Sequence, residues 1–93
     1  NFLLHFLNEE EGKKLIYKVK NNTAKGGLNF ISCLTKKDTF FREGRFFIGL
    51  SELKDLYSGW EMIKADEDYT EMEEHNNLKP HQHHIALILV RKK

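Results

Sequence analysis

Cysteine, proline and any excess of charge are nearly missing from this chain. Its 93 residues include one cysteine and one proline. A lone Cys33 excludes an internal disulfide and fits a reducing, cytoplasmic setting. Basic and acidic residues number 15 and 14. That balance gives no general electrostatic case for nucleic acid or for an anionic membrane. No apolar run reaches the length of a membrane span, and no signal-peptide pattern opens the sequence. Gly-x-Gly, Cys-x-x-Cys and His-Glu-x-x-His are also missing, and the only paired glycines are Gly26 and Gly27.

What remains is the composition of a soluble globular chain, 40% hydrophobic and 31% charged. At this length one small domain is the most expected, near the size where a single core is marginal. The sequence starts abruptly at Asn1 with "NFLLHFL", which sets the expectation of a piece cut from something longer.

Along the chain, "NEEEGKKLIYKVKNN" predicts a helix. Asn8 is placed to cap it and Glu11, three residues on, to close a capping box. Glu9, Glu10 and Glu11 in the first turn and Lys18 and Lys20 toward the end both complement the helix dipole. Gly12, Leu15, Ile16 and Val19 recur at helical spacing and form one apolar stripe. Gly26-Gly27 then supplies a positive-φ turn. In "LNFISCL", Leu28, Phe30, Ser32 and Leu34 share one face and Asn29, Ile31 and Cys33 the other. Both faces are largely apolar, which predicts a strand covered on two sides. "TKKDTFFREGR" reads as a polar loop with an aromatic pair. "SELKDLYSGW" reads as a short helix capped by Ser51. "WEMIKADED" alternates as a strand with Trp60 and Met62 on one face, and "HHIALILVRKK" is the strongest strand signal. The stretch 66–80 between them is charged and reads as a hairpin arm or mobile loop. The order helix, strand, helix, strand, strand is that of half an α/β sheet rather than a whole one.

The residues resemble a family at this point. "FLNEEEGKKLIYKVKNNTAKGGLNFISCL" resembles the helix after strand four and the fifth strand of class I S-adenosylmethionine-dependent methyltransferases. "T-x-K-G-G-x-N" is similar to their Thr-Lys-Pro-Gly-Gly turn. "S-E-L-K-D-L-Y-S-G-W-E-M-I-K" resembles the tellurite-resistance branch, and "H-H-I-A-L-I-L-V-R-K-K" its last strand with a basic end. The resemblance implies an α/β fold: the C-terminal part of a Rossmann-like methyltransferase sheet, with residues 1–93 as a single partial domain. It further implies strands near 27–35, 60–67 and 83–92 in one sheet, the last strand central and antiparallel to both others. The cofactor would be S-adenosylmethionine, held mainly upstream of residue 1, with Asn1, Phe2 and Leu3 supplying one edge of its site.

Candidate site residues follow from chemistry and from the resemblance together. His5, at what the resemblance makes the exit of strand four, is the catalytic candidate, since α/β sheets place ligands beyond the carboxyl ends of strands and an imidazole serves as a base near neutral pH. The competing reading packs it among Phe2, Leu4 and Phe6. In "TFFREGRFF", Arg42 and Arg45 interleave with Phe40, Phe41, Phe46 and Phe47, as in an anion or stacking site. The resemblance makes this loop a lid over a substrate pocket, with Arg42, Arg45 and Phe46 touching the acceptor. The competing reading is a surface loop anchored by its phenylalanines. Tellurite-type members carry a His-Arg pair after strand six, and those positions fall on Glu73 and Glu74, with His75 just beyond. Glu73 and His75 are therefore further substrate candidates, and the two carboxylates would repel an oxyanion.

His75, His81, His83 and His84 cluster in sequence, and His81 and His83 would share a strand face. Without a recognised zinc spacing they read as solvated imidazoles, and no metal is expected. Cys33 reads as a packing residue. The expected function is thus the C-terminal portion of a methyltransferase acting on a small acceptor. The alternative is a non-catalytic α/β binding or assembly module. An unpaired edge on the 27–35 strand would invite homo-oligomerisation.

Overall fold

The computed structural model describes residues 4–70 and 83–93. Asn8 starts the first helix as its spacing requires: its Oδ1 accepts the Glu11 N–H at 2.8 Å, and Glu11 Oε1 accepts the Asn8 N–H at 3.1 Å. This capping box satisfies two donors that a helix otherwise leaves orphaned. Helix α1 runs over Glu9–Asn21, behind one 3-10 turn at Leu4–Phe6. It buries Gly12 and Ile16. After it come strand β1 (Leu28–Leu34), helix α2 (Leu50–Leu56), and strands β2 (Glu61–Tyr69) and β3 (His84–Arg91).

The three strands form one sheet in the order β1-β3-β2, with both pairings antiparallel. β3 is therefore central, and β1 and β2 run parallel to each other on either side of it, as the resemblance implied. β2 extends to Tyr69, so residues 66–69 belong to a strand rather than to the charged connection predicted there. A register shift between Met62 and Lys64 interrupts its pairing.

Register explains the core. Asn29 faces Val90, Ile31 faces Ile88 and Cys33 faces Ala86, and all six are buried. Against this face pack Ile16 of α1, Leu53 and Tyr57 at α2, and Phe46 and Ile48 of the intervening loop. Each such aliphatic side chain contributes about 1.5–3 kcal/mol of transfer free energy. The opposite face departs from expectation. Leu28 and Phe30 are 53% and 57% exposed, so among the described residues β1 is covered on one side only.

A second departure concerns α2. Its cap is Gly49, not Ser51, and no side chain of its own caps it. The Leu50 N–H instead donates to Glu67 Oε1 of β2 at 2.8 Å. A carboxylate from across the fold does the work that a local serine does elsewhere. The paired glycines act differently from each other. Gly26 sits at φ 84°, whereas a Cβ on Gly27 would meet Thr23 Cγ2 at 2.7 Å. Together they bring the turn to the end of β3, where Gly26 N–H donates to Lys92 O and Lys92 N–H to Gly27 O.

Candidate functional site

Because β1 and β2 share a direction, their carboxyl ends lie together, beside the start of β3. Leu34 pairs with Ile85 and Tyr69 with His84. The loop that leaves this end of β1, residues 35–49, turns back toward α1. It is fastened there by Glu9 N–H to Gly44 O, by Phe46 N–H to Leu7 O at 2.9 Å, and by Arg45 Nη1 to Phe6 O at 3.0 Å. These bonds close a pocket of about 320 Å³ lined by His5, Phe6, Phe40, Arg42, Arg45 and Phe47.

Three of the residues singled out from sequence thus meet: His5, Arg42 and Arg45. Phe46 does not join them. It is fully buried and lies so close to α1 that a Cβ on Gly12 would sit 2.2 Å from its ring. Its neighbour Phe47 lines the pocket instead and stacks edge-on against Phe41, with centroids 5.4 Å apart. Phe46, Phe47 and Ile48 anchor the loop, while Phe40, Arg42 and Arg45 face the cavity. Asn1, Phe2, Leu3, Glu73, His75 and His81 lie outside the described residues.

His5 packs between aromatic rings, 4.4 Å from Phe6 and 5.8 Å from Phe47 by centroid. Burial pushes its pKa below the usual imidazole value; nearby Asp38 opposes that and His83 reinforces it. Loss of hydration disfavours the charged ring, so His5 is chiefly neutral near pH 7. The two guanidiniums supply the pocket's positive charge. Arg42 Nη1 donates to Phe41 O and Arg45 Nη1 to Phe6 O, which leaves each fork with donors for a ligand.

Asp38 escaped the reading of the sequence. Its side chain is 0% exposed. Oδ1 accepts the Phe40 N–H at 2.8 Å, while Oδ2 accepts the His84 N–H at 2.9 Å and lies 3.0 Å from His83 Nδ1. The bond to the amide two residues on is an Asx turn, for which Asp before a short polar step is the sequence signal. Cys33 lies in the core, and burial pushes its thiol up to about 12. Among the described residues, no three His, Cys, Asp or Glu side chains gather as a metal site requires. None of the helices searched is long and apolar enough to cross a membrane.

The model of the family "Tellurite resistance protein TehB" matches residues 1–84. The chain belongs to the TehB family. Its fold is similar to the crystal structure of TehB from Haemophilus influenzae, with a TM-score of 0.79 and 27% identity. That similarity covers 99% of this chain and 33% of the other, so the chain spans about a third of that protein's length. No curated protein sequence matches it. The resemblance to tellurite-resistance methyltransferases read from "S-E-L-K-D-L-Y-S-G-W-E" and the α/β class are thus both correct.

Proposed function

We propose that this chain supplies the acceptor-binding part of an S-adenosylmethionine-dependent methyltransferase, with the pocket at the carboxyl end of β1 as the acceptor site. The carrying observation is the convergence of Arg42, Arg45 and His5 on one aromatic-walled cavity. Guanidinium forks match small oxyanions in charge and geometry. Tellurite, in the family's name, is such an oxyanion; Glu73 and Glu74, whose carboxylates would repel it, lie outside the described residues. Phe6, Phe40 and Phe47 give the pocket apolar walls, and a neutral His5 is able to accept a proton or hydrogen bond from a ligand. The family match supports this reading over that of a non-catalytic module.

This pocket does not fit the cofactor itself. The pocket lining contains no carboxylate to bond ribose hydroxyls, and its two cations are poor neighbours for a sulfonium. The chain's own part in the reaction is accordingly confined to the acceptor: binding it, orienting it and managing its charge.

Titration with tellurite, followed by NMR on the arginine Nε–H signals, tests this reading. Arg42 and Arg45 signals should shift and saturate, and Arg42→Gln with Arg45→Gln together should weaken binding by at least about tenfold, as expected for lost charge-assisted bonds. Unchanged affinity in the double variant, or shifts confined to another surface, would refute the assignment.

A further inference from the structure

Asp38 and His83 lie 45 residues apart in sequence, yet they stand together behind one wall of the pocket. The ring of Phe40 lines the cavity and meets His83 edge-on, with centroids 4.9 Å apart. The backbone of Phe40 is held by Asp38 Oδ1, and the ring behind it by Asp38 Oδ2 through His83 Nδ1. One carboxylate thus fixes both the main chain and the packing partner of a single pocket residue.

We infer that Asp38 is a positioning residue of the acceptor pocket, acting through His83 to set the Phe40 wall. The inference rests on that pocket being the acceptor site. Three features carry it. First, a carboxylate with no exposed side-chain surface is costly to desolvate and persists only where its lone pairs are used. Here they take two backbone N–H groups and one imidazole. Second, Oδ2 already accepts the His84 N–H, and an ionised carboxylate has no proton to give. His83 therefore donates from Nδ1, which fixes its tautomer and ring plane. Third, the start of β3 is pinned on its other side, where His83 N–H donates to Thr70 Oγ1 at 2.9 Å and Thr70 N–H to His83 O at 2.7 Å. Two hydrogen bonds thus hold the backbone that carries His83, and Asp38 adds a bond to its ring. Asn in place of Asp keeps one acceptor oxygen, so its amide N–H must face either the Phe40 N–H or the His83–His84 side, and the wall would reorganise.

A structural tie alone would lower stability without altering pocket geometry; a positioning role alters both. The experiment compares Asp38→Asn, His83→Phe and the double variant in the same chain. Histidine nitrogen shifts and Phe40-to-His83 ring NOEs report geometry, and tellurite titration reports the pocket. The wild type should show His83 protonated at Nδ1 and a strong NOE to Phe40. Asp38→Asn should lose both and weaken tellurite between about tenfold and a hundredfold, the range for small misplacements of binding groups. The double variant should bind no worse than the worse single, because both changes break one path. Should Asp38→Asn fail to fold, His83→Phe must show the same loss of tellurite binding with the Phe40 ring displaced. A Phe40 ring that stays in place in Asp38→Asn or His83→Phe, or losses that add, would overturn the inference. Tellurite that fails to bind the wild type would instead refute the acceptor reading, and the NOE result would still decide the role of Asp38.

Discussion

Asn29 Nδ2 donates to the Tyr57 hydroxyl at 2.8 Å, across the interface between the sheet and α2. Both residues are buried, and the far oxygen of Asn29 lies 2.9 Å from Thr23 Oγ1. An amide inside an apolar core is tolerated because every polar atom on it finds a partner. Truncating one partner leaves the other buried and unsatisfied. Asn29→Ala is expected to cost about 1–3 kcal/mol, and Tyr57→Phe a similar amount. Urea unfolding of the two single variants and the pair should show that the losses do not add. Additive losses would mean that the two groups stabilise the fold independently.

Gly12 is expected to resist replacement for a reason separate from helix propensity. In an exposed helix Gly→Ala adds stability, but here the new Cβ would fall within 2.2 Å of the Phe46 ring. Gly12→Ala should destabilise by about 1–3 kcal/mol through overpacking. A second change, Phe46→Leu, should cost less in the Gly12→Ala background than in the wild type. Thermal melts of the four proteins give the coupling directly.

Cys33 makes stability fall in alkali. Its folded pKa of about 12 lies above the ordinary thiol value of 9.0, so the unfolded chain releases this proton first. The contribution is fully present below pH 9 and is lost as pH rises from there toward 12. Tyr57 acts in the same direction, since burial raises its pKa as well. Cys33→Ala should flatten the decline between pH 9 and 12 in urea midpoints, and the wild-type thiol should react slowly with disulfide reagents at pH 8. Rapid modification of the folded chain would contradict the burial of the sulfur.

What the sequence made legible was mostly local. The Asn8–Glu11 box and the stripe of Gly12 and Ile16 are read within one helix, where i, i+3 and i+4 neighbours decide the outcome. The strands were legible by alternation, but the central place of β3 came only from resemblance, because period-two patterns carry no pairing order. The cap of α2 was missed since Glu67 reaches it from seventeen positions beyond Leu50. Asp38 was missed for the same reason: its partners His83 and His84 lie 45 and 46 residues away. Phe46 and Phe47 were indistinguishable because an irregular loop has no period from which to tell the inward side chain from its neighbour.

The edge of β1 gives an expectation for the isolated chain. β1 pairs with β3 on one side, and a groove of about 190 Å³ lined by Leu4, Val19, Leu28 and Phe30, among others, runs along it. Exposed strand edges beside apolar side chains recruit other strands. The 93-residue chain should self-associate at high concentration, and Phe30→Lys should reduce this without a large loss of stability, because Phe30 is already more than half exposed. Sedimentation equilibrium distinguishes the outcomes: a monomer at all concentrations in the wild type would remove the case for a sticky edge.

His5 offers the most direct electrostatic check on the pocket. Burial lowers its pKa from the usual 6.5, so protonation is easier in the unfolded chain than in the folded one. Its contribution to stability is therefore present above pH 6.5 and declines as pH falls below that value. His5→Gln should remove that part of the acid slope. The two neighbours push in opposite directions, Asp38 raising the pKa and His83 lowering it. Asp38→Asn should thus move the His5 titration further down, whereas His83→Phe should move it up. An NMR titration of the His5 ring proton resolves both shifts and their signs. The same sign for both variants would mean that His5 responds to a general loosening of the loop, and not to the separate effects of Asp38 and His83.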